Sequence, residues 1–438
     1  MVRLHCCNFG VQPSIRRNKT MPEKQKQGHP INRDADSQPA GLQRSISLPL
    51  LLFYGLGTIL GAGIYVLVGQ VAGLAGHSAP ISFLIAAFVA GFTGFSYAEL
   101  SARYPLSAGE AVYLQEAFGR PFWAVLVGLL VATSGIISAA AVTRGAVGYM
   151  QVFIDLPTSV LIIGSLLLLA MIAIWGTTES LIIAALFTLI EIFGLGLIIW
   201  VGRDAFTADA FNLADFAPEA SLVKWQGIVV GGFLAFFAFI GFEDMVNVAE
   251  EVKNPQRNMP LAIIFAISIA TLLYLSISIV AIHLASADEL IANEAPLAFL
   301  FERATGDTPW LISIISIFAV INGALIQIIM ASRLLYGMST KHWIPTIFGQ
   351  LHPVTQTPII ATITIVALVM LFALFIPLVT LASITSFVLL MVFILINLAL
   401  LKIKRDDKPV APEVTIYPVW VPLMGVITCL FLSISQLF

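Results

Sequence analysis

Beyond residue 45 the chain is a succession of long apolar runs separated by short polar stretches. Crossing the hydrocarbon core of a bilayer takes about 20 predominantly apolar residues in a helix. On that measure spans are expected near 48–72, 80–100, 121–150, 158–176, 179–202, 226–250, 260–285, 309–338, 357–376, 378–401 and 416–437, eleven in all. The uncharged run from Val354 to Leu401 is too long for one helix, and Pro377 is where it divides. Residues 1–45 are polar, with Pro, Gln and scattered Lys and Arg, and are expected to be a disordered tail. That tail has no apolar core of its own and does not read as a signal peptide.

Two of these spans carry glycine where a spanning helix normally avoids it. The first contains Gly57-Thr58-Ile59-Leu60-Gly61-Ala62-Gly63, and the sixth contains Phe236-Phe237-Ala238-Phe239-Ile240-Gly241-Phe242-Glu243. A bilayer has no water for freed backbone groups, so a broken helix is tolerated only where protein surrounds it or it lines a cavity. Gly61 and Gly241 lie about 180 residues apart, near the starts of two halves of similar length. Paired interruptions of this kind are the best sequence pointer to a transporter's midplane binding site. Five spans per half is an odd number, so the second half is inverted relative to the first. The expected fold is therefore an all-α multi-span membrane protein with a leucine-transporter-type 5+5 inverted repeat, discontinuous helices 1 and 6, and one peripheral helix. Its expected parts are a tail at 1–45, a first repeat at 46–202, an outer loop at 203–225, a second repeat at 226–402 and a peripheral helix within 403–438.

Composition agrees with this class: 59% of residues are hydrophobic and only 11% are charged. Soluble domains carry roughly 25% charged residues. Loop charge gives a direction. The tail and alternate loops hold Arg103, Arg120, Lys253, Arg257, Lys341, Lys402, Lys404, Arg405 and Lys408. The opposite loops hold Asp155, Asp204, Asp209, Asp215, Glu219, Asp288, Glu289, Glu294, Glu302 and Asp307, with Arg203, Lys224 and Arg303 as basic exceptions at or near span ends. The positive-inside rule then puts the N-terminus in the cytoplasm and, with eleven spans, the C-terminus outside. The three cysteines, Cys6, Cys7 and Cys429, make no disulfide framework. No phosphate-binding GxxxxGK[ST] is present, the six histidines lack metal-ligand spacing, and no Ser-His-Asp set assembles. An enzyme is not indicated, and neither is a cofactor, a metal or a nucleic-acid partner.

Several stretches resemble a known family. Gly61-Ala62-Gly63-Ile64-Tyr65-Val66 resembles the first-helix motif of the amino acid–polyamine–organocation (APC) superfamily of transporters. Ser96-Tyr97-Ala98-Glu99-Leu100 with Pro105-Leu106-Ser107-Ala108-Gly109-Glu110-Ala111-Val112-Tyr113 resembles its loop after helix 2. Phe236 through Glu243, continued by Ala249-Glu250-Glu251-Val252-Lys253-Asn254-Pro255, is similar to its helix-6 signature. Ala331-Ser332-Arg333-Leu334-Leu335-Tyr336, with His352-Pro353 and Thr357-Pro358, is similar to its helix 8–9 loop. The likeness runs from about 48 to 402 and is nearest to bacterial amino acid permeases related to cationic amino acid transporters. It implies secondary-active transport of an amino acid across a bacterial inner membrane. An amino-acid-binding sensor that does not transport, and a polyamine or organocation carrier, stay open beside it.

An amino acid presents a carboxylate and an ammonium, neither of which enters hydrocarbon uncompensated. A broken first helix exposes the N–H groups of Gly61, Ala62 and Gly63 at a half-helix N-terminus, where the dipole favours a carboxylate. Glycine there also removes Cβ atoms that would hold a ligand away. A broken sixth helix frees the carbonyls of Phe237, Ala238 and Ile240 to accept from the ammonium. The resemblance implies the same division of labour. The alternative is that these glycines serve helix packing, as small residues do in membranes. Phe236 and Phe239 are expected to gate the site, with packing as the alternative. Thr133, Ser134 and Gly135 form a small polar step on the third span, and Asn322 and Gln327 are expected to bond between helices. Glu99, Glu179, Arg144 and Arg333 are expected to reach the interface, and Glu243 to cap N–H groups at the break. Glu191 lies deep in the fifth span. Relatives in the cationic-transporter-like branch usually place a lysine there, so the charge is reversed here. Glu191 is a proton carrier, a structural carboxylic acid or part of a cation site.

Overall fold

The computed structural model describes residues 44–61, 63–106, 109–175, 181–207, 216–218, 221–353, 355 and 357–436. Residues 1–43 of the expected tail, Ala62 and Glu179 lie outside the described residues. Helices dominate the described chain, and the isolated β-bridge there joins Ile46 to Val252.

In chain order the helices are α1 (Leu48–Leu60), α2 (Gly63–Ala75), α3 (Ala79–Arg103), α4 (Gly109–Phe118), α5 (Pro121–Met150), α6 (Thr158–Trp175), α7 (Leu181–Val201) and α8 (Leu222–Phe236). Then follow α9 (Pro255–Leu284), α10 (Ala287–Ile291), α11 (Pro296–Thr305), α12 (Trp310–Thr340), α13 (Ile359–Phe375), α14 (Leu378–Arg405) and α15 (Trp420–Ile434). Proline in the first turn opens α1, α3, α5, α9 and α11, where its missing N–H has no intrahelical partner to lose. Pro377 separates α13 from α14. By length and composition, six stretches can cross a membrane: 63–103, 121–150, 222–251, 255–284, 310–340 and 378–405. Five shorter apolar helices accompany them among the described residues.

Burial runs opposite to that of a soluble protein. Large apolar side chains face outward, among them Met171 on α6, Phe193 and Trp200 on α7, Leu272 on α9 and Phe375 on α13. A soluble monomer seldom exposes apolar surface on this scale, whereas lipid tolerates it. The chain is an integral membrane protein. Inside, α5 packs against α12 and α14, and α3 against α8 and α9. Around its middle α5 is buried through Gly135, Ser138, Ala139, Ala140 and Ala141, small residues that let helices approach closely. One polar group of this interior is paired throughout. Ser96 donates to Asn397 Oδ1 at 2.7 Å, while Asn397 Nδ2 donates to Thr93 Oγ1 at 2.9 Å and to the Phe393 carbonyl at 2.8 Å.

One interface expectation needs correction. Glu99 is fully buried, held by Arg103 at 2.7 Å, Lys404 Nζ at 2.7 Å and the Tyr417 N–H at 2.9 Å. Two cations and a backbone donor compensate its charge, so it need not reach water. Arg144 donates to the Ala373 carbonyl at 2.8 Å, near the C-terminus of α13, where free carbonyls and the helix dipole favour a cation.

Candidate functional site

The first break falls between α1 and α2. The Gly61 N–H closes α1 by donating to the Gly57 carbonyl at 3.3 Å, and α2 starts at Gly63. The second break follows α8. A tight turn at Phe237–Phe239 leads to extended Ile240, then Gly241 at φ 124°, then a 3-10 stretch over Phe242–Glu251. The Gly241 N–H donates to Glu243 Oε2 at 2.8 Å, so Glu243 caps this break as expected.

The two breaks lie against each other, backbone on backbone. A Cβ on Gly63 would sit 2.0 Å from Ala238 Cα, and one on Gly241 would sit 2.4 Å from the Thr58 carbonyl oxygen. The Thr58 hydroxyl lies 2.9 Å from both the Gly241 and the Gly55 carbonyl oxygens, which share its single proton. The Tyr274 hydroxyl, from α9, donates toward Ile59 O at 2.9 Å and Ala238 O at 2.8 Å, touching both breaks at once. Thr58 and Tyr274 carry no role from sequence. Their signal was a hydroxyl inside an apolar span, which a membrane interior makes costly unless it is bonded.

These contacts redistribute the expected donors and acceptors. Gly61 has spent its N–H within α1. The first N–H groups of α2, from Gly63 and Ile64, are those a helix leaves without intrahelical acceptors. Gly61 faces another neighbourhood: its Cβ would lie 3.1 Å from Ala319 O on α12 and 3.6 Å from Glu191 Oε1. On the other break, Phe237 O accepts from the Ile240 N–H at 3.3 Å, and Ala238 O takes the Tyr274 hydroxyl. A carbonyl has two lone pairs, so each keeps capacity for a further donor. The Phe236 and Phe239 rings are fully buried. Phe236 meets Phe393 edge-on at 5.7 Å between centroids, and Phe239 meets Tyr274 at 5.0 Å.

Beside Ile240 lies a void of about 10 Å³, lined by Ser134, Gly135, Ser138, Glu243, Asp244 and Gln327 among others. That is room for about one water and too little for an amino acid. Ser134 and Gly135 are there as expected, but Thr133 is exposed and donates to the Leu129 carbonyl at 2.8 Å. A one-residue step along a helix turns a side chain by about 100°, which takes Thr133 off the inner face. Gln327 Nε2 reaches Asp244 Oδ2 at 3.4 Å, an interhelical contact as expected. Val131, Met330 and Leu334 line both this void and a larger cavity of about 350 Å³. The larger cavity also meets Tyr54, Glu110, Glu251, Arg333 and Lys341.

Glu191 is buried in α7 between the first break and α12. Its Oε1 takes a long 3.4 Å contact from Asn322 Nδ2, and its Oε2 is buried without a hydrogen-bond partner among the described residues. The Tyr65 hydroxyl donates to the Glu191 backbone carbonyl at 2.7 Å, and Tyr149 donates to the Tyr65 carbonyl. A deep carboxylic acid thus touches the helices that carry the first break and the α12 side of the site.

The sequence compares with known proteins as follows. The family model described as "Amino acid permease" matches residues 46–438. The branched-chain amino acid permease BcaP of Bacillus subtilis is 27% identical over 431 residues, which cover 92% of this chain and 90% of that protein. Cationic amino acid transporter 9, chloroplastic, of Arabidopsis thaliana is 30% identical over 365 residues, 78% of this chain and 62% of that protein. The methylthioribose transporter of Bacillus subtilis is 29% identical over 349 residues, 74% of this chain and 73% of that protein.

Proposed function

The chain belongs to the amino acid permease family, and from that premise we propose that it carries amino acids across the membrane by alternating access. The family and these relatives are transporters, not enzymes. The observation that carries the reading is the meeting of two broken helices around Gly63–Ala238 and Gly241–Thr58. Broken backbone at membrane depth leaves polar groups that only protein or a ligand can satisfy.

In this proposal the substrate carboxylate sits at the N-terminus of α2, on the first N–H groups of that helix at Gly63 and Ile64, since the Gly61 N–H is already bonded within α1. The ammonium sits on carbonyls of Phe237, Ala238 and Ile240. Phe236 and Phe239 form the cover; the contact of Phe239 with Tyr274 supports this, because Tyr274 is itself bonded to both breaks. Glu191 carries a coupling proton. Its support is full burial, one weak partner and a free oxygen beside the first break. The frame is eleven spans in a 5+5 inverted repeat, with the N-terminus cytoplasmic and the membrane a bacterial inner membrane.

The test is uptake by the full chain in reconstituted vesicles, screened over the twenty amino acids and common polyamines. Accumulation or exchange of at least one amino acid is expected, and esters lacking the free carboxylate are expected not to compete. Binding without accumulation or exchange would make the protein a sensor. Effective competition by esters would make it an organocation carrier.

A further inference from the structure

Three carboxylates are buried together where α4 meets the sixth span. Glu110, Glu243 and Asp244 are each at most 5% exposed. Glu110 stands in the first turn of α4, which presses so closely on the 242–251 segment that a Cβ on Gly109 would lie 2.4 Å from Val246. Glu243 and Asp244 both lie within electrostatic reach of Glu110. Among the described residues none of the three joins an ion pair. Each has uncharged partners only: Tyr97 donates to Glu110 at 3.4 Å, the Gly241 N–H to Glu243 at 2.8 Å and Gln327 to Asp244 at 3.4 Å. Three neighbouring carboxylates without a counter-charge cannot all be ionised in a low-dielectric interior.

A second observation marks the same place. The Tyr113 hydroxyl is fully buried, has no hydrogen-bond partner among the described residues and lies within electrostatic reach of Glu110. A third gives a route. The 350 Å³ cavity touches Glu110, and Val131, Met330 and Leu334 line both it and the void that meets Glu243 and Asp244. Among the described residues no cluster of His, Cys, Asp and Glu could hold a metal ion.

We propose that Glu110, Glu243 and Asp244 form a proton-binding site that is served through this cavity from the cytoplasmic side and is separate from Glu191. The proposal rests on the transport reading and orientation given above. Protonation removes repulsion between α4 and the sixth span and so favours their contact. Glu110 lies in a loop helix outside the spans, where burial pushes its carboxyl up to about 7. The groups facing it are Tyr97 on α3, Tyr113 on α4, Glu243 and Asp244 on the sixth span and, around the cavity, Tyr54, Glu251, Arg333 and Lys341.

The sign follows from linkage. A carboxyl with a folded value of about 7 and an ordinary value of 4.5 binds its proton more tightly in the folded chain. Stability is then highest at low pH and falls as pH rises through that window. The experiment is the melting temperature of the purified full chain from pH 5 to 8.5, for wild type, Glu110→Gln and Asp244→Asn. Glu110→Gln is expected to lose at least half of the wild-type fall. Asp244→Asn, which removes a repelling neighbour, is expected to lessen it too. A wild-type fall retained in both variants overturns the proposal. Because this measurement needs no substrate, it is independent of uptake. A chain that transports nothing yet loses the fall in Glu110→Gln defeats the transport reading and keeps the proton site. A chain that transports with the fall intact in both variants does the reverse.

Discussion

Gly241→Ala tests the contact between the two breaks most directly. Gly241 has φ 124° and ψ −21°, well outside the left-handed basin near +57° that other residues visit at modest cost. Holding alanine in so sparse a region costs about 1–3 kcal/mol. The added Cβ would also lie 2.4 Å from Thr58 O and 2.5 Å from Thr58 C. Those are backbone atoms and cannot rotate aside, so α1 must shift, at about 1–3 kcal/mol by analogy with overpacked cores. The sum is about 2–6 kcal/mol. Two other glycines separate the terms. Gly306 also has positive φ, at 74°, but nothing lies within 4 Å of its Cβ position. Gly306→Ala should cost only the conformational term, about 1–2 kcal/mol. Gly91, inside α3, has open space and ordinary helical geometry, so Gly91→Ala should gain about 0.5–1 kcal/mol. Thermal unfolding of the purified full chain should therefore rank Gly91→Ala, wild type, Gly306→Ala and Gly241→Ala from most to least stable. Uptake by Gly241→Ala should fall further than its stability, because Glu243 caps the N–H that moves. Equal melting of Gly241→Ala and Gly306→Ala would refute the close contact with Thr58.

Glu191→Gln keeps shape and loses the titrating proton. With one proton per substrate, a pH difference of one unit supports about tenfold accumulation; the variant should lose this while exchange survives, and accumulation that still follows the gradient would remove Glu191 as obligatory carrier. Phe236→Ala with Phe239→Ala should speed substrate dissociation more than it alters folding, read by release of labelled substrate; unchanged affinity and release would leave both rings as packing. Tyr274→Phe removes one shared hydroxyl bond and should cost about 0.5–1.5 kcal/mol in melting, with a larger proportional loss of uptake; full uptake would show that tying the breaks together is dispensable.

Much of this was legible from apolar runs, because a bilayer fixes the length of what crosses it. The third span was expected at 121–150 and α5 is Pro121–Met150, and Pro377 divides the ninth span from the tenth. Both breaks were legible from glycine. What the glycines face was not. The Cβ position of Gly63 faces Ala238, so its lack of a side chain serves the close approach of the two breaks. Sequence gives torsional freedom at a position but not the atom across from it. The same limit hid the partners of Glu99, since Lys404 lies 305 residues away. The loop helices α4, α10 and α11 were missed because short helices cross no bilayer and leave no run of that length.

The bonds at the site also constrain how it can open. Thr58 joins α1 to Gly241, and Tyr274 joins Ile59 to Ala238, so neither break moves without the other unless these bonds part. The void beside them holds about one water, while a cavity of about 350 Å³ lies just beyond Val131, Met330 and Leu334. Those three side chains come from α5 and α12, not from the broken helices. Met is unbranched and adapts its shape, so Met330 is the most deformable of the three side chains that line both spaces. Asn322 and Gln327 on the same α12 hold Glu191 and Asp244 through contacts of 3.4 Å each. A displacement of α12 would therefore disturb the contacts of both carboxylates, which ties the wall between the two spaces to the acidic groups proposed to bind protons.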